Sequence, residues 1–163
     1  MKYCYECGTK LIYKELEHEG LISFCTSCNQ FRFPIYSTAV SMIVMNKNMS
    51  KILLIKQYNK DRFILVAGYI NKGESAEDAC IRELKEETSL DVIKLIFNKT
   101  EYFEKSNTLM INFGVIVGDE FVIKNYEIDS YEWFDIDDAR INIAKNSLAS
   151  KFLDNFYQNH LKK

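Results

Sequence analysis

Three glutamates, Glu83, Glu86 and Glu87, stand three and four positions apart, directly after Arg82. On a helix that spacing brings all three carboxylates to one side of a turn. Carboxylates so crowded repel one another, and a fold rarely keeps them unless a cation lies among them. Hard oxygen donors facing one way suit Mg²⁺ or Mn²⁺ bridging to a substrate phosphate. Arg82 is placed to fix a carboxylate through paired N–H donors. Taken alone, Glu86-Glu87 reads as a solvated helix face. With Gly68, Glu74, Arg82 and Glu83 in register with them, the run reads as a site.

The cysteines form a second constellation. Cys4-Tyr-Glu-Cys7 and Cys25-Thr-Ser-Cys28 are two C-x2-C pairs, with Gly8 following the first. No secretion signal precedes them, which argues against disulfides. Redox-active pairs and buried free thiols are the competing readings. The doubled spacing favours four thiolates around a structural Zn²⁺, with Gly8 serving the tight turn of a metal knuckle. The fifth cysteine, Cys80, falls on the acidic helix and reads as a small core residue.

The elements that must position these groups belong to an ordinary small protein. The chain has 163 residues, 47% of them hydrophobic and 13% aromatic, enough for one packed domain and a small appendage. Net charge is −2, so there is no basic excess to attract nucleic acid non-specifically. Around the cysteines, Lys2, Lys10, Lys14 and Arg32 are balanced by Glu6, Glu15, Glu17 and Glu19. No signal-peptide core or membrane-spanning apolar run is present, and a cytoplasmic protein with no membrane partner is expected.

Residues 1–33 read as a zinc ribbon, two short strands joined near Glu19-Gly20, with much of their stability drawn from the metal. Pro34, the single proline, marks the junction to a second domain over residues 34–163. There the pattern is mixed α+β. Residues 39–45, 52–56, 63–66, 92–97, 109–117, 121–124 and 131–134 read as strands, and 76–88, 138–144 and 145–157 as helices. Ser75 and Asp78 resemble a capping box at the start of the acidic helix. Leu148, Phe152 and Phe156 form an apolar stripe suited to core or dimer packing. His18 and His160 fit no ligand spacing.

The stretch Gly68 to Leu90 resembles the Nudix box, G-x5-E-x7-R-E-U-x-E-E-x-G-U, through Gly68, Glu74, Arg82, Glu83, Leu84, Glu86, Glu87 and Leu90. Ser89 stands where the family has glycine, at a helix end where a left-handed residue is often wanted. A zinc ribbon ahead of such a domain is similar to the NADH pyrophosphatase group of that superfamily. Phe33-Pro34-Ile35-Tyr36, Thr108-Leu109-Met110, Glu127-Ile128 and Trp133-Phe134 extend the likeness over nearly the whole chain.

That resemblance implies a Nudix α/β/α sandwich, commonly homodimeric, that hydrolyses a nucleoside diphosphate linked to another moiety. Glu83 and Glu87 would be the metal ligands, Glu86 a further ligand or base, and Arg82 the group that orients them. Glu127 matches a later glutamate that completes the metal site, although spacing alone equally allows a strand-end charge. Tyr69 stands where related enzymes place an aromatic that stacks on a base. Tyr102 and Phe103 can do the same, core packing being the commoner fate of aromatics.

Members that hydrolyse NADH carry a Ser-Gln-Pro-Trp-rich segment after the box. Residues 101–108 here contain neither proline nor tryptophan. The expected substrates are therefore NAD(H), ADP-ribose, FAD or a capped RNA end, with no other nucleic acid as partner. The contrasting expectation is a non-catalytic nucleotide sensor, whose mark would be eroded carboxylates; here all three are intact.

Overall fold

The computed structural model describes residues 1–162, and they divide into two compact units, Met1–Tyr36 and the chain from Ser37 onward. In the first unit, β1 (Ile12–Leu16), β2 (Gly20–Cys25) and β3 (Gln30–Arg32) form an antiparallel three-stranded sheet in sequence order. Gly20, at φ 74°, supplies one of the two left-handed residues of the β1–β2 turn, His18 at φ 68° being the other. β3 is a strand the sequence reading lacks. Three residues show too little alternation to reveal it, and it exists because β2 offers Ser23–Cys25 as its partner.

The larger unit is built on a six-stranded mixed sheet. Its strands are β4 (Ser37–Met45), β5 (Lys51–Gln57), β6 (Val66–Tyr69), β7 (Val92–Phe103), β8 (Thr108–Val117) and β9 (Ile128–Asp135). The order is β7-β8-β4-β5-β9, with β6 also paired to β4. β4 and β8 run parallel in register from Ser37↔Thr108 to Met45↔Ile116, while the other pairs are antiparallel.

Central strands buried on both faces feed two cores. Val40, Met42 and Val44 of β4, with Leu53 and Ile55 of β5, pack against Ala79, Cys80 and Leu84 of α1 (Ala76–Thr88). The alternate residues Ile43, Met45, Ile52 and Leu54 face α2 (Ile136–Asn142) and α3 (Leu148–Phe156). The period of two along each strand therefore sorts its side chains between two helical layers. Phe156 lies so close to Gly114 that a Cβ there would stand 2.2 Å from its ring. The outcome is the expected α+β sandwich, with Leu148, Phe152 and Phe156 spent on the core.

Several boundaries move for identifiable reasons. Residues 121–124 are not a strand, because the N–H groups of Ile123 and Asn125 bond the open carbonyls of Thr88 and Glu87 at the end of α1. The strand expected at 63–66 begins at Val66, and only Ile64 bridges back to Ile55. β7 runs on to Phe103 by absorbing a register shift between Phe97 and Lys99. Left-handed Asn146 delays the last helix to Leu148, where the Ser147 side chain accepts from the Ser150 N–H. No helix among the described residues is long and apolar enough to cross a membrane.

Candidate functional site

Helix α1 starts where Ser75 Oγ accepts the Asp78 N–H at 3.0 Å and ends at Ser89, whose φ of 61° is left-handed. Between these caps, Glu83 and Glu87 fall one turn apart on the face that lines a cleft of about 410 Å³. The same cleft is lined by Tyr58, Gly68, Tyr69, Ser106, Thr108 and Glu127, among others. Glu86 is turned aside, with its side chain 58% exposed and absent from the lining. A spacing of three from Glu83 keeps it on the same turn, yet the helix rotates it off the cleft.

Arg82 is the hub that orders the acidic groups. Its Nε and Nη2 donate to the two carboxylate oxygens of Glu74 at 2.7 and 2.9 Å. Its Nη1 donates to Glu83 at 2.7 Å and to Glu86 at 3.3 Å, and Nη2 also reaches the Tyr69 carbonyl. One guanidinium thus ties the loop before α1, strand β6 and the helix together. Its donation to Glu74, with that of the Asn71 N–H, lowers the Glu74 carboxyl to about 2. Gly68 gives Glu83 its room, since a Cβ there would lie 2.0 Å from the Glu83 carboxyl carbon.

Glu87 is only 3% exposed. Burial pushes its carboxyl up to about 8, with the charges of Glu127 and Glu83 adding to the rise. Gln57 Nε2 donates to it at 3.0 Å and offsets part of this. Glu127 is brought beside Glu87 by the stretch stitched to the end of α1. Its own N–H is held by Asn125, and its carboxylate accepts from Tyr58 at 3.4 Å. A buried carboxyl with two acidic neighbours suits a cation, which would replace the proton and offset the repulsion. Tyr102 lies outside the cleft lining and donates to Asn107 at 2.7 Å. Gln57 and Tyr58 carry no spacing signal in the sequence; they enter through the pairing of β5 with β9 and the turn that follows β5.

In the first unit, Gly8 (φ 72°) turns the chain after Cys7, with its N–H on the Cys4 carbonyl. Cys28 N–H points at Cys25 Sγ from 3.4 Å. The Sγ atoms of Cys4, Cys7, Cys25 and Cys28 all lie within 4.8 Å of one another. Tetrahedral Zn–S bonds of about 2.3 Å would set the sulfurs about 3.8 Å apart, and the Cys4–Cys28 and Cys7–Cys25 separations are 3.9 and 3.4 Å. Among the described residues these cysteines alone draw three or more candidate ligand atoms this close; the glutamates do not.

Without a cation the thiols divide unevenly. Hydrogen bonding with the Thr9 side chain and backbone lowers Cys7 to about 6, while Cys28 is pushed up to about 12 by its hydrogen bond with Cys7 and by burial. Arg32, 4% exposed, donates Nε to Cys4 Sγ at 3.2 Å and also binds Gln30 and Glu6. The sequence shows Arg32 only as one more positive charge; the β2–β3 pairing turns it inward onto the sulfurs.

Comparison with known proteins places this geometry. The NUDIX domain family model matches residues 35–156. A protein named NAD-capped RNA hydrolase NudC from Pseudomonas aeruginosa is 28% identical over 156 residues, which cover 94% of this chain and 54% of that protein. A protein of the same name from Vibrio atlanticus is 24% identical over 158 residues, 95% of this chain and 57% of that protein. The chain thus spans about half the length of the curated relatives it matches.

Among solved structures, a Nudix hydrolase from Nitrosomonas europaea superposes with a TM-score of 0.69 at 20% identity, covering 100% of this chain and 94% of that one. The Nudix domain of Shewanella oneidensis NrtR, determined with ADP-ribose, superposes with a TM-score of 0.64 at 14% identity, covering 83% and 92%. A family match across most of the chain, on a fold that these structures share, makes this protein a member of the Nudix family.

Proposed function

We propose that the protein is a divalent-metal-dependent hydrolase that cleaves the pyrophosphate bond of a nucleoside diphosphate linked to another moiety, with NAD(H) as the first candidate and ADP-ribose or FAD as alternatives. One observation carries the reading: Glu83 and Glu87, one turn apart, line a single cleft with Glu127. The carboxyl of Glu87 is too buried to ionise cheaply without a cation. The matched relatives named NAD-capped RNA hydrolase support the NAD-type substrate, with a capped RNA end as its larger form.

Glu83, Glu87 and Glu127 would hold Mg²⁺ or Mn²⁺, which supplies charge neutralisation at the diphosphate and a more acidic water. Arg82 fixes Glu83 in place, and Gln57 does the same for Glu87. Glu86, on Arg82 and open to solvent, is left as a supporting charge or a proton acceptor. Water adds across the P–O–P bridge and two phosphomonoesters leave. Tyr69, exposed beside Gly68 at the cleft, is available for a base to stack on. Cys4, Cys7, Cys25 and Cys28 would hold a structural Zn²⁺ in a ribbon formed by the first unit.

The test is incubation of purified protein with Mg²⁺ or Mn²⁺ and NADH, NAD⁺, ADP-ribose, FAD, NAD-capped RNA and nucleoside triphosphates, with products resolved by chromatography. AMP with reduced NMN from NADH is the expected result. Failure to split every compound with either metal would refute the hydrolase.

A further inference from the structure

The turn leaving β5 holds a residue its backbone disfavours. Lys60 N–H reaches the Gln57 carbonyl at 3.2 Å, and between them Tyr58 and Asn59 have φ of 57° and 55°. Two consecutive left-handed residues closed in this way are the pattern of a type I′ turn. Such turns favour Asn, Asp or Gly, because left-handed backbone presses Cβ toward the following carbonyl oxygen. Asn59 conforms and Tyr58 does not.

The turn itself is well anchored. Asn59 N–H donates to Asp129 at 2.6 Å, and the adjacent Gln57 side chain is on Glu87 at 3.0 Å. Packing does not account for Tyr58, which is 64% exposed. It lines the cleft with Gly68, Tyr69, Glu83, Glu87 and Glu127, and its hydroxyl lies 3.4 Å from the Glu127 carboxylate. Backbone held in a disfavoured region gathers at ligand clamps and active sites, where surrounding contacts over-determine it.

From these observations we infer that Tyr58 is a substrate-binding residue: the strained turn presents its ring to a bound nucleotide and its hydroxyl to the Glu127 carboxylate. The inference rests on the nucleotide reading given above. The ring offers a flat face on which a base or nicotinamide can stack. The hydroxyl donates to Glu127 and steadies a carboxylate that the cation would otherwise have to order.

Tyr58→Asn and Tyr58→Phe, made in the full chain, separate ring from hydroxyl. The readouts are melting temperature, NADH affinity of the metal-free protein by nicotinamide fluorescence, and KM and kcat for NADH with Mg²⁺. Asparagine suits the left-handed position, so Tyr58→Asn should melt about 2–4 °C higher. Loss of one stacking face should weaken NADH binding roughly 5- to 100-fold, with KM rising in step and kcat changing less. Tyr58→Phe should keep NADH affinity within about 2-fold while needing more Mg²⁺ for half-maximal rate.

Unchanged NADH affinity in Tyr58→Asn would overturn the inference, whatever its melting temperature. A lower melting temperature with unchanged KM would do the same and make Tyr58 a packing residue. Wild-type protein that binds NADH without cleaving it, with binding weakened in Tyr58→Asn, would keep Tyr58 and remove the hydrolase. Wild-type protein that does neither would remove both.

Discussion

Replacing Glu87 by glutamine should make the metal-free protein more stable above neutral pH while removing most of its activity. The carboxyl is 3% exposed and sits at about 8 rather than the ordinary 4.5, through burial first and then the charges of Glu127 and Glu83. Between 4.5 and about 8 the native state therefore holds a proton that the unfolded chain has lost. Native stability must then fall as pH rises through that window, by about 1.4 kcal/mol per pH unit and about 5 kcal/mol over its whole width.

Glutamine keeps the shape and stays neutral. Its carbonyl can accept from Gln57 as the carboxylate does at 3.0 Å, and its amide can donate toward the neighbouring carboxylates. The assay is thermal unfolding in EDTA at pH 6, 7 and 8 for wild type and Glu87→Gln. Wild type should lose about 2.5 kcal/mol more than the variant between pH 6 and 8, seen as a melting-temperature gap widening by roughly 5–10 °C. Equal pH slopes, or a variant less stable than wild type at pH 8, would refute the account of Glu87 as a buried, uncompensated acid. With Mg²⁺ added, the same variant should turn over orders of magnitude more slowly, since its amide cannot supply the ligand charge.

The remaining predictions concern the scaffold around the two sites. Gly68→Ala would place a Cβ 2.0 Å from the Glu83 carboxyl carbon; kcat should fall at least about 100-fold with the melting temperature little changed, and a normal kcat would show that Glu83 has no fixed role. Ser89→Gly should raise stability by about 1 kcal/mol because φ is 61° at that position; urea unfolding that shows no gain would mean the Ser89 hydroxyl bond to Ile123 outweighs the backbone term. Cys4→Ser should release zinc on purification, read by metal analysis, and full zinc occupancy would remove the ribbon. Arg32→Met should leave zinc bound but speed its transfer to a chelator, because Cys4 loses the donor at 3.2 Å; an unchanged transfer rate would make Arg32 a packing residue only.

Much of this protein is legible in its sequence. A helix repeats every 3.6 residues, so the spacing of Glu83 and Glu87 determined that their carboxylates share a face, wherever that helix lies. The paired cysteines carry their own geometry in the same way, since a short knuckle holds two thiols at one ligand distance. Alternation along β4 and β5 foretold strands, although only burial on both faces showed that they are central.

What tertiary structure decided is everything that depends on residues far apart in the chain. Glu127 shares a cleft with Glu87 because the stretch after β8 bonds the open end of α1, a use of backbone groups that no local pattern reports. For the same reason that stretch, apolar enough to pass for a strand, is not one. Glu86 is excluded from the cleft by a rotation of about 100° per residue measured against a sheet whose position sequence spacing does not contain. Gln57, Tyr58 and Arg32 acquire partners only through strand pairing, which fixes the direction a side chain faces once a register is chosen. Local spacing determined which groups are available for chemistry, and long-range packing determined which of them meet.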